Sequence, residues 1–305
     1  MPNASEVASR VHDGVHSANP FQTVSSHSKN SVIAYKIITP ISWLVLVITS
    51  VYYDFAAPHE GKYSRHTIWR QNSVRHSPFA LNSIITSLYW IALFIIQIPY
   101  VASLFQNSEQ VENHNTAYNL APHFIFNNLL WMGFIHLWCR SYFWWAELLV
   151  IVNFFQLTFT YFRYPSTTKI THAAALAGPL AFSFVALYWT GAAAVHSHHF
   201  AGRVAANVFI WTWAVYGGFY LFVFKDWTMG FALSILSAAL GVAQFLTVIV
   251  AVQWIEAFII MALLFLVSLA VAVPGVVGKE PFRRGEVVSE DRERAPLLAD
   301  SSNNV

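Results

Sequence analysis

The chain has 305 residues, of which 56% are hydrophobic and only 10% charged, whereas a soluble domain devotes about a quarter of its residues to charge. A net charge of +2 is too small and too dispersed for a nucleic-acid surface. The single cysteine, Cys139, excludes an internal disulfide, a Cys-based zinc cluster and a redox pair.

Residues 1–31 are rich in Ser, Asn and His and contain no apolar run. They read as a disordered tail, which leaves the first helix to act as its own targeting signal. Eight apolar segments follow, at 33–53, 79–105, 117–138, 142–162, 171–195, 204–224, 229–250 and 254–275. Each supplies about 20 residues or more, enough at ~1.5 Å per residue for a hydrocarbon core of about 30 Å. The expected fold is therefore all-α: a polytopic integral membrane bundle of eight helices over 32–278, with a second disordered tail at 279–305. From Thr228 to Gly278 the only charge is Glu256. That stretch is too long for one span, so a turn is expected near Gln253, with Glu256 solvated there. Pro40, Pro99 and Pro179 fall inside spans and should loosen their helices. Ala174, Gly178 and Ala181, and then Ser234, Ala238 and Gly241, form small-residue faces of the kind that let helices pack closely in lipid.

Of the 17 Lys and Arg residues, eleven fall on the side that holds both tails and six on the other. This asymmetry predicts two cytoplasmic tails. The lipid bilayer is the expected partner, and no cofactor is implied by any motif. No Walker loop, dinucleotide turn or His-Glu-x-x-His is present. His196, His198 and His199 lack an anchoring Cys or carboxylate nearby, so no metal site is expected.

Polar residues at membrane depth are costly and need partners. Lys36, Asn127, Asn153, Gln156, His136 and Glu147 are the candidates for substrate binding or helix packing. The third and fourth spans form a hairpin turning near Arg140, which sets Asn127 opposite Asn153. His136 and Glu147 fall near its turn, where both are expected to reach interfacial water. Asn207 and Gln244 are isolated and expected to bond across helices. Thr39 and His123 each lie six residues into spans that run the same way, so they share a depth. A hydroxyl and an imidazole at one depth have the chemistry of a nucleophile and its base, provided the helices touch.

Tyr35-Lys36-Ile37-Ile38-Thr39-Pro40, Pro78-Phe79-Ala80-Leu81-Asn82-Ser83, the Pro122–Leu130 run, Lys225-Asp226-Trp227-Thr228-Met229-Gly230-Phe231 and the Ala270–Gly275 end resemble fungal polytopic membrane proteins catalogued as a domain of unknown function. The resemblance covers roughly residues 19–278 and implies a fungal source and a membrane location without an activity. Lys36-Ile37-Ile38-Thr39 and His123 bear a lesser resemblance to the androgen-induced family of intramembrane threonine hydrolases, which cleave branched fatty-acid esters. Ile38 stands where that family has Leu, Pro40 follows the Thr, and its Asn-His-x-x-His-Thr run is absent. In the tails, Glu293 with Leu297 and Leu298 resembles an acidic dileucine sorting signal, and Asn19-Pro20-Phe21 resembles the tripeptide read by endocytic adaptors. These resemblances imply adaptor proteins as partners and a Golgi, endosomal or vacuolar location. The expected function is that of a non-enzymatic endomembrane protein, with a Thr39/His123 ester hydrolase as the first alternative and a small-molecule transporter as the second.

Overall fold

A computed structural model of the protein describes residues 27–75, 77–106, 111–164, 169–195, 200–248, 250 and 252–277. Among them every regular element is helical and no strand occurs. In chain order the helices are α1 (Lys29–Phe55), α2 (Ile68–Arg75), α3 (Ser83–Ser103), α4 (Val111–Cys139), α5 (Phe143–Arg163), α6 (Lys169–Ala194), α7 (Phe200–Phe209), α8 (Trp211–Val223), α9 (Trp227–Thr247) and α10 (Gln253–Val277). Seven segments are long and apolar enough to cross a membrane: α1, α3, α5, α6, the run through α7 and α8, α9 and α10. Their outward faces are greasy, with Phe55 85%, Val215 73% and Ile84 69% exposed. A water-soluble monomer does not carry so much exposed apolar surface. The chain is an integral membrane helical bundle.

α4 answers to the expected span 117–138 and has 29 residues, about 43 Å at the helical rise. It is not one of the seven, because Asn119, His123, Asn127, Asn128 and His136 interrupt its apolar character. The helix packs against α1 on one side and α5 on the other. Its Asn127 and Asn128 are each 1% exposed, so the polar side chains face helices rather than lipid.

Helix starts follow local capping chemistry. Ser28 accepts from Ser31 N at α1, and Asn82 accepts from Ile85 N at α3. The second span was expected to begin at residue 79, but α3 begins at Ser83. Ser77, Phe79, Ala80 and Leu81 instead form a buried non-helical strap. Its backbone is bonded throughout by neighbours: Asn72 takes Leu81 N at 3.3 Å and gives to Leu81 O at 2.9 Å. Gln244 Nε2 donates to Ser77 O at 3.2 Å, and Asn82 N donates to Ala239 O at 2.9 Å. Irregular backbone survives at membrane depth only under such conditions.

Pro179 has the effect expected of it. Pro lacks an N–H and clashes with the carbonyl four residues back, and the turn just before it, Ala173–Ala177, is π-helical. Two carbonyls in this region take partners from α3. Gln97 Nε2 donates to Ala174 O at 3.1 Å, and Tyr89 Oη donates to Gly178 O at 2.7 Å. Gly178 is required there, since a Cβ would lie 2.8 Å from the backbone oxygen of Ala173. Ala174 and Ala181 on the same face are both fully buried. The second small-residue face joins α9 to α10, with Ser234 Oγ donating to Met261 O at 2.9 Å and the Phe258 ring against Gly241.

The chain turns between Thr247 and Gln253, where Val248 takes a left-handed φ of 47°. Glu256 lies in the first turn of α10, beside a positive helix end. Its side chain is partly exposed at the turn, although Oε2 is buried and makes no hydrogen bond among the described residues.

Candidate functional site

The helix hairpin α4–α5 sets the polar layout. Tyr142 N bonds back to Leu137 O at 3.0 Å, and Ser141 takes a left-handed φ of 61°, making a tight reversal. From that turn the two helices run apart in register. Asn153 Nδ2 donates to Asn127 Oδ1 at 2.9 Å and to Ser183 Oγ of α6 at 3.3 Å. Asn127 Nδ2 donates to Asn128 Oδ1 at 3.3 Å, and Asn128 Nδ2 to Ser42 Oγ of α1 at 3.3 Å. One line of bonds thus crosses α6, α5, α4 and α1 inside the bundle. The pairing of Asn127 with Asn153 expected from hairpin geometry is the pairing found.

Thr39 and His123 share a depth on touching helices. Tyr53 meets His136 at 83 positions' separation, and Ser42 meets Asn128 at 86, so Thr39 and His123 fall in the same register. Direction separates them. The His123 imidazole turns to α5, where Nδ1 lies 2.9 Å from Thr160 Oγ1 and 3.3 Å from Gln156 Nε2. Gln156 Nε2 also donates to His123 O at 3.0 Å. Thr39 is fully buried, and its Oγ1 makes no hydrogen bond, neither to His123 nor to the backbone turn behind it. Lys36 is half-buried one turn before it.

His136 and Glu147 do not behave as their shared position by the turn suggested. His136 Nδ1 bonds Tyr53 Oη at 3.1 Å, with Arg140 Nη1 at 3.3 Å. Glu147 instead packs against Gly191 of α6, and its Oε2 is buried without a hydrogen bond among the described residues. Both side chains stay partly exposed, and helix phase sends one to α1 and the other to α6. Gln244 bonds across helices to the strap, whereas Asn207 Oδ1 is buried and unbonded among the described residues.

Two clusters had no reading in the sequence. Asp226 caps α9 and ties three helices together: Oδ1 accepts from Thr228 N at 3.0 Å and Met229 N at 3.2 Å, and Oδ2 from Tyr161 Oη at 2.7 Å and His172 Nε2 at 2.8 Å. Burial pushes its carboxyl upward, but the bonds from His172, Thr228 and Tyr161 and the His172 charge outweigh burial and bring it down to about 2. The available signal was a lone Asp two residues before a Thr at the head of an apolar run. The other cluster is a cavity of about 490 Å³ between α1, α3, α4 and α6, walled by Trp90, Trp131, Phe134, Phe182 and Trp189 and edged by Ser50, Asp54, Ser83 and Ser87.

Among the described residues no three His, Cys, Asp or Glu side chains gather as a metal site. His196, His198 and His199, and the tail residues Asn19, Pro20, Phe21, Glu293, Leu297 and Leu298, lie outside the described residues.

Fold and site together define a polytopic helical membrane protein with a hydrogen-bonded polar interior. Residues 203–298 match a family described as fungal protein of unknown function (DUF1774). The match takes in Lys225–Phe231 and Ala270–Gly275 and extends beyond residue 278, while the earlier runs that carried the same resemblance lie outside it. No curated protein and no solved structure matches the chain.

Asn127→Leu and Asn153→Leu should each destabilise the protein in a detergent unfolding assay, by about 1–3 kcal/mol for an amide left without its partner. The double variant should lose less than the two losses combined, and strict additivity would show that the pair is not coupled.

The depressed carboxyl of Asp226 fixes a sign for its acid response. Its contribution is complete above the ordinary value of 3.8 and is lost as pH falls through about 2. That difference corresponds to about 2 kcal/mol. Asp226→Asn should therefore lower thermal stability at neutral pH and flatten the acid limb between about pH 4 and pH 2. Parallel acid limbs for the two proteins would contradict the assignment.

Proposed function

We propose that this protein is a non-enzymatic component of the endomembrane system, acting in membrane organisation or trafficking. In this reading it has eight spans, α4 being the polar one, and both tails are cytoplasmic. The observation that carries it is how the polar groups at depth are used. Asn127, Asn128, Asn153, Ser42 and Ser183 bond one another across four helices. His123 Nδ1 is already engaged by Gln156 and Thr160. A general base has to lie within hydrogen-bond reach of its nucleophile, and Thr39 Oγ1 makes no hydrogen bond to His123. The matched family brings no activity. A transporter reading finds no internal repeat in the sequence to support it.

The hydrolase reading keeps one specific support: Thr39 Oγ1 is buried, unbonded and level with His123 on a touching helix. Purified protein should show neither fatty-acid ester turnover nor labelling by a serine/threonine-hydrolase probe. Labelling lost on Thr39→Ala and on His123→Ala, with expression intact, would replace the first reading by the second.

Location and tail topology are checked together. Cys139 is fully buried, so a cysteine placed near residue 5 or 300 reports against a silent background. Both should resist an impermeant thiol reagent in vesicles whose cytoplasmic face is enclosed. Replacing Leu297 and Leu298 with Ala should shift the tagged protein out of the vacuolar pathway, and an unchanged distribution would remove the dileucine from the proposal.

A further inference from the structure

We infer that the cavity between α1 and α3 is a binding site for a single-chain amphiphile with a protonated amino-alcohol head. The argument starts from its shape. Leu46, Ser50 and Asp54 are spaced by one helical turn along α1, and Ser83, Ser87, Trp90 and Phe94 follow one another along α3. The cavity therefore runs along the helices, over about 16 Å from Ser83 to Phe94 at the helical rise. Its volume of about 490 Å³ lies within the range of small-molecule sites, about 300–1,000 Å³.

Polarity is graded along that length. One end holds Asp54, Ser83 and Ser87; the other is closed by Leu46, Phe94 and Phe182. α1 has 27 residues, about 40 Å, which exceeds a hydrocarbon core of about 30 Å and puts its final turn, with Asp54, in the headgroup layer. A head at the membrane surface and a tail pointing inward fit this gradient. The way in is sideways from the bilayer, since the rim residues Phe55, Ile84 and Leu88 are also strongly exposed on the outer face.

Charge selects the head. Asp54 is half-buried and forms no ion pair among the described residues. A carboxylate in a greasy mouth with no cationic side chain paired to it favours a cation and rejects a fatty acid or a phosphate head. Trp69 shares the mouth, and an indole face adds attraction for an ammonium. A hydrogen-bond acceptor on the ligand is also provided for. Ser83 and Ser87 line the same end as Asp54, and a hydroxyl group can donate as well as accept. An amino alcohol supplies both the donor and the acceptor. This inference depends on the protein being in a bilayer but not on the organelle or on any chemistry at Thr39.

The test uses the full-length protein in phosphatidylcholine nanodiscs and a photoactivatable sphingosine. Saturable crosslinking should map to α1 and α3, be displaced by sphingosine, and be displaced at least about tenfold less well by oleyl alcohol or oleic acid. Asp54→Asn should weaken the displacement at least about tenfold, and Ser87→Phe, which fills the cavity, should abolish the crosslink. Val215→Phe, on the exposed face of α8, should leave it unchanged. Equal competition by oleyl alcohol, full binding by Asp54→Asn, or crosslinks spread around the whole bundle would each overturn the assignment. Should Asp54→Asn fail to fold, Ser87→Phe and the competition series still decide it.

Discussion

Hydrocarbon offers no hydrogen bond, so every polar group that this chain takes into the bilayer needs a partner from the chain itself. The Asn153–Asn127 bond at 2.9 Å is the centre of the solution. It lies on a hairpin whose register is fixed by the tight reversal at Ser141, and it is extended by Ser183 on one flank and Asn128 and Ser42 on the other. Because lipid tails are as apolar as leucine, burying apolar surface does not drive these helices together. Directional bonds and close packing have to select which helices touch. The line of amides and hydroxyls does so for α1, α4, α5 and α6.

The same constraint accounts for features that look like defects. The π-helical turn before Pro179 disturbs the regular carbonyl pattern, and Gln97 and Tyr89 of α3 bond Ala174 O and Gly178 O. Gln97 in turn accepts from Trp43 Nε1 of α1 at 3.1 Å, so the disturbance becomes a cross-link among three helices. The strap before α3 is handled in the same way by Asn72 and Gln244, and Trp189 Nε1 adds a bond to Asn72 Oδ1 at 2.7 Å. At the opposite end of the bundle Asp226 gathers α5, α6 and the N-terminus of α9. One end is thus held by neutral amides under a short loop helix, and the other by a carboxylate with a histidine.

Helix existence was legible from apolar run length, and so was the Asn127–Asn153 pair, because a short hairpin fixes which residues face each other. The start of α3 was not legible: Pro78-Phe79-Ala80-Leu81 is apolar enough to read as span, and only distant partners such as Gln244 make a buried non-helical path viable. Residues 204–224 read as one span, and α7 and α8 run through a helical Ile210 as one segment, Ala201–Val223. Asp226 was visible as a residue but not as a hub, since Tyr161 and His172 reach it from helices that no local pattern connects. His136 and Glu147 show the limit most directly. Their distance from the turn was readable, yet successive residues on a helix differ by about 100° in direction, and direction sent them to different neighbours.

Thr39 and His123 repeat that lesson at the position where chemistry was expected. Counting from the helix ends gives depth, and the bonds Tyr53–His136 and Asn128–Ser42 set the same register. Depth alone cannot make a catalytic pair, because the lone pair of a base has a direction as well as a height. In this bundle the imidazole spends Nδ1 on α5, where it helps hold the hairpin, just as the asparagines do. One group not spent in this way stands at the aromatic cavity, where Asp54 forms no ion pair among the described residues. Glu147 and Glu256 also keep a carboxylate oxygen without a hydrogen bond among the described residues, but Asp54 stands at the mouth of a cavity, where something from outside can meet it. In a helix bundle bathed in lipid, the nearest such thing is an amphiphile entering from the side.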